Sequence, residues 1–371
     1  MHILFAGGGT AGHINPALAI AGYIREKHPD AHISYIGTAD KLESKLVPEK
    51  GYNFRTISVA GFQRKISIEN IFKNISAAGK ALTSSMTARK ILKEIQPDIV
   101  IGTGGYVSGP VLREATKLGI KTAIHEQNAY PGITTKMLAP NVDAVMLAMP
   151  EAKKYLKLNK APHITGNPVR QELLRITRDQ ARQKLGIDSD VPVILSFGGS
   201  LGAMRVNEAV AGLIKWHMSS EKIYHIHATG KSGYNGFIEK FNDTELSDKV
   251  DIREYISDMD ICMAAADLVI CRAGAITLSE LLACGKPSIL IPSPYVAENH
   301  QFQNAMTLKR IGAAEIIEEK DLSDEKLIDV VSKLIENKSK LSEMSQAAQN
   351  GAIMDSNERI YKIIMQLYTN A

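Results

Sequence analysis

Residues 3–20 read ILFAGGGTAGHINPALAI. An apolar run, a glycine-dense turn and an amphipathic stretch follow one another, the order of strand, loop and helix. Gly7, Gly9 and Gly12 fit G-x-G-x-x-G, the spacing that lets a backbone approach a pyrophosphate where a helix begins. Alone, the loop suits a dinucleotide, and an NAD-dependent oxidoreductase is the first function class it raises. It closes on His13, however, which a dinucleotide cradle does not require.

Outward from this stretch, short apolar runs alternate with helical patterns to the end of the chain, which predicts parallel strands joined by crossover helices. Strands are expected near 2–6, 32–37, 53–59, 98–102, 121–125 and 142–147, and again near 191–197, 223–229, 249–254, 267–271, 286–291 and 314–317. Between the two series, Ile164-Thr165-Gly166-Asn167-Pro168 breaks the pattern, because proline cannot continue a ladder. The architecture restarts at Val193-Ile194-Leu195-Ser196-Phe197, which feeds Gly198-Gly199-Ser200-Leu201-Gly202. The expectation is an α/β chain with domains over 1–165 and 166–354 and a cleft between them. A last helix over 355–369 is marked by capping-box spacing from Asp355 to Glu358 and by Ile360, Ile363, Ile364 and Leu367.

With 371 residues, 44% hydrophobic and 23% charged, the chain reads as globular rather than disordered. No leader pattern and no run of about 18 apolar residues is visible, so neither export by signal peptide nor a membrane span is expected. Cys262, Cys271 and Cys284 have no paired spacing and read as buried hydrophobes. Residues 1–165 carry 21 Lys/Arg against 12 Asp/Glu, whereas 166–371 carry 23 against 28. The first half should therefore be drawn to anionic surfaces. Nucleic acid is disfavoured, since aromatics make up only 6% and interleave with no basic cluster. Anionic lipid fits better.

Ligands of open α/β sheets bind beyond the carboxyl ends of the strands. This sequence places there the stretches from Gly7 to His13, Gly102 to Pro110, His125-Glu126-Gln127-Asn128, Gly198 to Gly202, and Arg272-Ala273-Gly274-Ala275. Three glycine loops at strand exits favour binding of phosphate or an oxyanion. His13, at a helix start where the dipole favours a neutral imidazole, suits a general base. Asp188-Ser189-Asp190 and Asp258-Met259-Asp260 invite a metal, but the first precedes its strand and the second sits where helix starts favour acids, so no metal site is assigned. Apolar residues from Ile68 through Ile75 and Leu82 to Met86 follow helical steps. They are flanked by Lys73, Lys80 and Arg89, the pattern either of a core helix with a solvated basic face or of an interfacial helix on anionic membrane, and the charge excess of the first half favours the membrane.

The motifs GGGTAGH, GTGGYVSGP, HEQN, TGNPVR, FGGSLGA, CRAGAITLSE and ENHQ, in that order over nearly the whole chain, resemble the MurG family. The resemblance implies a GT-B fold of two Rossmann-like domains, an acceptor domain first and a UDP-sugar domain second, with the last helix returning to the first. It also implies inverting, metal-independent transfer of N-acetylglucosamine from UDP-GlcNAc to lipid I (undecaprenyl-pyrophosphoryl-MurNAc-pentapeptide), giving lipid II, with no cofactor. Thr10, Ala11, Gly12 and Asn128 match positions near the donor sugar, and Arg170 and Ser200 those holding the nucleotide and its diphosphate. Ile256 matches a backbone contact to uracil and Glu280 a contact to ribose. Ala275, Ile276, Thr277 and Gln301 match contacts to the diphosphate and sugar. Gly9, Gly104, Gly105, Tyr106 and Ser108 fall where the acceptor diphosphate binds. His13 is the expected base, assisted by Glu126. Lys73, Ile75, Lys80 and Arg89 would face an anionic membrane at the cytoplasmic side, where other cell-wall synthesis proteins are further expected partners. Ala11 stands where many relatives have glycine. The competing readings are a glycolipid synthase of the same fold, a UDP-GlcNAc 2-epimerase and a non-catalytic membrane scaffold.

Overall fold

In the computed structural model, which describes residues 1–59, 83–199, 202–218, 222–243 and 245–369, each of these apolar runs is a parallel strand. The first unit contains β1 (His2–Gly7), β2 (His32–Gly37), β3 (Asn53–Thr56), β4 (Ile99–Gly104), β5 (Lys121–Glu126), β6 (Ala144–Leu147) and β7 (His163–Ile164). They form one sheet ordered β3-β2-β1-β4-β5-β6-β7. The helices between them are α1 (Ala11–Lys27), α2 (Glu43–Glu49), α3 (83–95), α4 (Gly105–Lys117) and α5 (Ile133–Leu138). Ile3, Leu4, Phe5 and Ala6 of β1 and Ile99, Val100 and Ile101 of β4 are fully buried, as expected for strands covered on both faces.

The second unit repeats the plan with β8 (Val193–Phe197), β9 (Tyr224–Ala228), β10 (Val250–Arg253), β11 (Leu268–Cys271), β12 (Ser288–Leu290) and β13 (Ala314–Ile316), ordered β10-β9-β8-β11-β12-β13. Its helices are α6 (Arg178–Leu185), α7 (Met204–Met218), α8 (Tyr234–Ile238), α9 (Met259–Ala265), α10 (Ala275–Ala283), α11 (His300–Arg310), α12 (Asp324–Glu336) and α13 (Lys338–Gly351). In both sheets the order reverses beside the first strand, between β1 and β4 and between β8 and β11. That is where a doubly wound sheet opens a crevice for ligand.

The units comprise Met1–Pro168 with the chain from Asp355 onward, and Val169–Met354. The division falls after Pro168 rather than after Thr165 for a specific reason. His163 and Ile164 pair with Met146 and Leu147 as an extra strand, and the Gly166 carbonyl and Asn167 side chain bond back to His125 and Gln127 of the first unit. The last helix, α14 (Ser356–Thr369), belongs to that unit too. Ile360, Ile363 and Ile364 join Ile20 and Ile24 in its core. Tyr23 donates to Glu358 at 2.5 Å, and this bond pushes its phenol up to about 12.

In the second unit a polar chain crosses the core. His217 Nε2 lies 2.9 Å from His225 Nδ1, His225 Nε2 2.8 Å from Ser196 Oγ, and Ser196 Oγ 2.8 Å from His227 Nδ1. Ser196 faces His227 in the β8–β9 register, and all four side chains are buried. Cys262, which burial pushes up to about 12, and Cys271 are buried as well.

Among the described residues no helix is long and apolar enough to cross a membrane. Lys73, Ile75, Lys80 and Ser200 lie outside the described residues. Arg89 is half-exposed on α3, with Nη1 3.4 Å from the buried carboxylate of Glu114.

Candidate functional site

The loops leaving β1 and β4 meet at the reversal of strand order in the first unit. Gly104 and Gly105 both have positive φ, +106° and +77°. A Cβ on Gly105 would stand 2.3 Å from the Gly8 carbonyl oxygen, and one on Gly104 would stand 2.6 Å from His13 Nδ1. Only glycine allows both the conformation and the approach. His13 is the third residue of α1, its amide donating to the Thr10 carbonyl at 3.0 Å. Its half-buried ring lies with Nδ1 3.2 Å from Gln127 Oε1. Gly9, Thr10 and Gly12 are exposed and Ala11 is partly so, which leaves the first turn of α1 open to a ligand.

A residue that sequence reasoning missed holds this loop. Glu43 is fully buried. Its Oε2 accepts the Gly9 amide at 3.1 Å, and its Oε1 accepts the Thr38 amide and hydroxyl at 3.1 and 2.9 Å. Glu43 sits in the polar stretch ESKLVPEK, which resembles an exposed helix, and its partner lies 34 positions away.

Glu126, expected to assist the base, is spent elsewhere. Its Oε1 accepts the Asn128 amide and side-chain N–H at 3.1 and 3.0 Å, and its Oε2 accepts the Gly132 amide at 3.0 Å and the Thr135 hydroxyl at 2.6 Å. A carboxylate with four donors holds a turn. Ser108 is likewise buried against the backbone, its Oγ accepting the Gly104 amide at 3.1 Å and lying 2.7 Å from the Ala6 carbonyl. Tyr106 is exposed. Behind them, His125 and Gln127 are both buried, and burial holds the His125 imidazole below its ordinary range.

In the second unit the corresponding loops leave β8, through Gly198 and Gly199, and β11, through Arg272, Ala273 and Gly274. Helix α10 starts behind Gly274, which offers no capping side chain, and its first turn of Ala275, Ile276 and Thr277 carries no acid. Such a helix start presents oriented N–H groups to an anion. Arg272 is not aimed at it: Nη2 donates to the Glu319 carboxylate and Nη1 to the Ile291 carbonyl. Arg170 instead forms a fork with Glu280, Nε to Oε1 at 2.6 Å and Nη2 to Oε2 at 3.2 Å. Glu280 is buried while Arg170 stays half-exposed, and the pairing raises Arg170 further above its ordinary range. Two expected donor-binding residues thus meet each other.

Gln301 lies in the first turn of α11, its Oε1 accepting the Ser293 amide at 2.8 Å. Glu298 and Asn299, just before it, both have φ of +54°, a conformation unusual outside glycine. Ile256 is buried in the segment after β10. Asp258 accepts from Arg253 at 2.6 Å. Among the described residues no group of three or more His, Cys, Asp or Glu side chains gathers as a metal cluster would.

The glycosyltransferase family 28 N-terminal domain model matches residues 3–147, and the C-terminal domain model matches residues 193–363. A protein of Acetivibrio thermocellus named UDP-N-acetylglucosamine--N-acetylmuramyl-(pentapeptide) pyrophosphoryl-undecaprenol N-acetylglucosamine transferase is 48% identical over 371 residues, covering 100% of this chain and 99% of the relative. A protein of the same name from Caldanaerobacter subterraneus is 46% identical, covering 98% of this chain and 99% of the relative. The crystal structure of Acinetobacter baumannii MurG superposes with a TM-score of 0.81 at 28% identity, over 98% of this chain and 99% of that one. Glycosyltransferases and UDP-N-acetylglucosamine 2-epimerases at 14% identity share the fold alone. With both domain models and its full-length relatives in agreement, the chain belongs to the MurG family of glycosyltransferase family 28.

Proposed function

We propose that this chain transfers N-acetylglucosamine from UDP-GlcNAc to the 4-hydroxyl of lipid I, giving lipid II for peptidoglycan synthesis. The observation that carries the reading is identity of 48% across the whole chain to a relative named for that transfer. The acceptor hydroxyl oxygen attacks the anomeric carbon, the carbon–oxygen bond to UDP breaks on the opposite face, and the configuration inverts. His13 takes the hydroxyl proton. Glu126 positions the turn bearing Asn128 and is not itself the base, because its lone pairs are engaged. Gly9, Gly104, Gly105 and Tyr106 meet the acceptor diphosphate, on loops whose Gly9 and Gly104 amides are held by Glu43 and Ser108.

In the donor unit, the start of α10 takes the diphosphate with the aid of Arg170 and Ser200. Glu280 accepts from the ribose hydroxyls, its carboxylate held in orientation by the Arg170 fork. Ile256 meets uracil through its backbone, and Gln301, fixed through Oε1, turns its amide N–H groups to the sugar. The excess of nine cations in residues 1–165 supports peripheral attachment to anionic lipid at the cytoplasmic face.

The reading predicts that radiolabelled UDP-GlcNAc passes its sugar to a short-chain lipid I analogue and that no sugar product forms without acceptor. Conversion of UDP-GlcNAc in the absence of acceptor would indicate an epimerase, and a preference for diacylglycerol over the analogue a glycolipid synthase.

A further inference from the structure

His125 and Gln127 are buried beside the reactive loop, and the transfer step as written uses neither. Their hydrogen bonds form one directed chain. His125 Nε2 lies 3.0 Å from the Gly166 carbonyl oxygen. Gln127 Nε2 lies 2.9 Å from the His125 carbonyl oxygen and 3.1 Å from His125 Nδ1. Gln127 Oε1 then lies 3.2 Å from His13 Nδ1. The Asn167 side-chain N–H donates to the Gln127 carbonyl at 3.2 Å, which pins the residue's backbone.

Two members of this chain accept only, and they fix the direction of the rest. A backbone carbonyl has no proton to give, so the Gly166 oxygen requires His125 to carry its proton on Nε2. Burial keeps that imidazole neutral, so its Nδ1 is a bare acceptor. The His125 carbonyl likewise requires the NH2 end of the Gln127 amide, and its second N–H faces His125 Nδ1. The amide therefore has one orientation, with Oε1 toward His13. An oxygen that can only accept demands a proton on His13 Nδ1, and the lone pair of the neutral ring is left on Nε2. A Cβ on Gly104 would stand 2.6 Å from His13 Nδ1, so the glycine is what makes room for the ring at this place.

We propose that Gln127 is a positioning residue for the transfer reaction: its carboxamide, oriented by His125, holds the proton of neutral His13 on Nδ1 and so presents Nε2 to the acceptor hydroxyl. This rests on the reading of His13 as base. When Nε2 takes the proton, the Nδ1–H bond to Gln127 Oε1 persists and the amide oxygen stabilises the imidazolium. A dyad of this kind orients its base with a neutral oxygen in place of the more usual carboxylate.

The test is a long-range 1H–15N spectrum of the full chain labelled in its 10 histidines, with the His13 signals identified by their absence in His13→Gln. At a pH where the ring is neutral, the wild type should show Nδ1 protonated and Nε2 bare. Gln127→Leu should shift His13 toward the Nε2-protonated tautomer. It should also lower kcat by about 10- to 100-fold, less than the full contribution of a general base of about 10²–10⁴, with the affinity for UDP within about twofold, because nothing in the unit assigned to the nucleotide has changed. Gln127→Glu, which in its acid form gives an O–H to His125 and still presents an oxygen to His13, should restore the Nδ1 proton and part of the lost kcat. A wild-type spectrum with the proton on Nε2, or Gln127→Leu with unchanged His13 signals and full kcat, overturns the proposal. The spectrum is read without substrates, so it stands whether or not the preparation transfers sugar. Failure of the base reading would show differently, as full turnover in His13→Gln.

Discussion

His13→Ala is expected to reduce kcat by about 10²–10⁴-fold, the range over which a positioned general base contributes, while UDP affinity stays within a factor of about two. The split follows from where the groups lie. His13 stands in the first turn of α1, in the unit that carries the acceptor in this account, whereas Arg170, Glu280 and the start of α10 belong to the other unit. Truncation removes the proton acceptor without touching the nucleotide site. Steady-state kinetics on the lipid I analogue, with UDP binding followed by calorimetry, separate the two effects. Near-normal turnover at saturating substrates would remove His13 from the reaction.

The second large effect concerns stability in acid. In the neutral state each proton of the buried chain has one place. His227 Nδ1–H can donate to the Ser196 carbonyl at 3.2 Å, the Ser196 hydroxyl to His225 Nε2, and His225 Nδ1–H to His217 Nε2. One more proton on His225 or His217 would set a donor against a donor, and on any of the three it would put a charge in the buried core. Burial accordingly lowers all three imidazoles, His217 to about 4 and His227 to about 3, with His225 lowered further by the two histidines beside it.

An unfolded histidine titrates near 6.5, so the folded state binds fewer protons below that pH. The stability tied to these groups is fully present above about pH 6.5. It is lost progressively as the pH falls toward 4 and then 3. The loss amounts to several kcal/mol, on the order of 1.4 kcal/mol for each pH unit that one folded pKa lies below its unfolded value. Hydrogen exchange, corrected for intrinsic rates, should show peptides covering 193–197 and 224–228 losing protection between pH 7 and pH 4.5. Protection that is flat over that range would contradict the argument.

Much of the fold is legible because parallel strands buried on both faces leave uninterrupted apolar runs, such as Ile3-Leu4-Phe5 and Val193-Ile194-Leu195. The strand missed is the two-residue His163–Ile164, which ends against Gly166 and Pro168 and carries no run of its own. The glycine loops are legible for the same local reason: positive φ and close approach are written in the residue type.

Pairings across long separations are not legible. Arg170 meets Glu280 across 110 positions, His13 meets Gln127 across 114, and Glu43 reaches Gly9 from a stretch that looks solvent-facing. A motif names the residues that gather, but not the bonds each makes with its neighbours. Glu126 illustrates the difference: its place in HEQN suggested a partner for the base, while its four donors assign both of its oxygens to the turn.

We propose that oriented N–H groups at the start of α10, together with Arg170, carry the negative charge that develops on UDP as the bond to the sugar breaks. The measurement that tests it most directly is the rate and stereochemistry of transfer by protein stripped with EDTA and assayed in metal-free buffer. The account predicts a β-linked product, read by the anomeric proton coupling, formed at the same rate as with divalent ions present. A product that forms only after magnesium or manganese is restored, or one with the anomeric configuration retained, would contradict it.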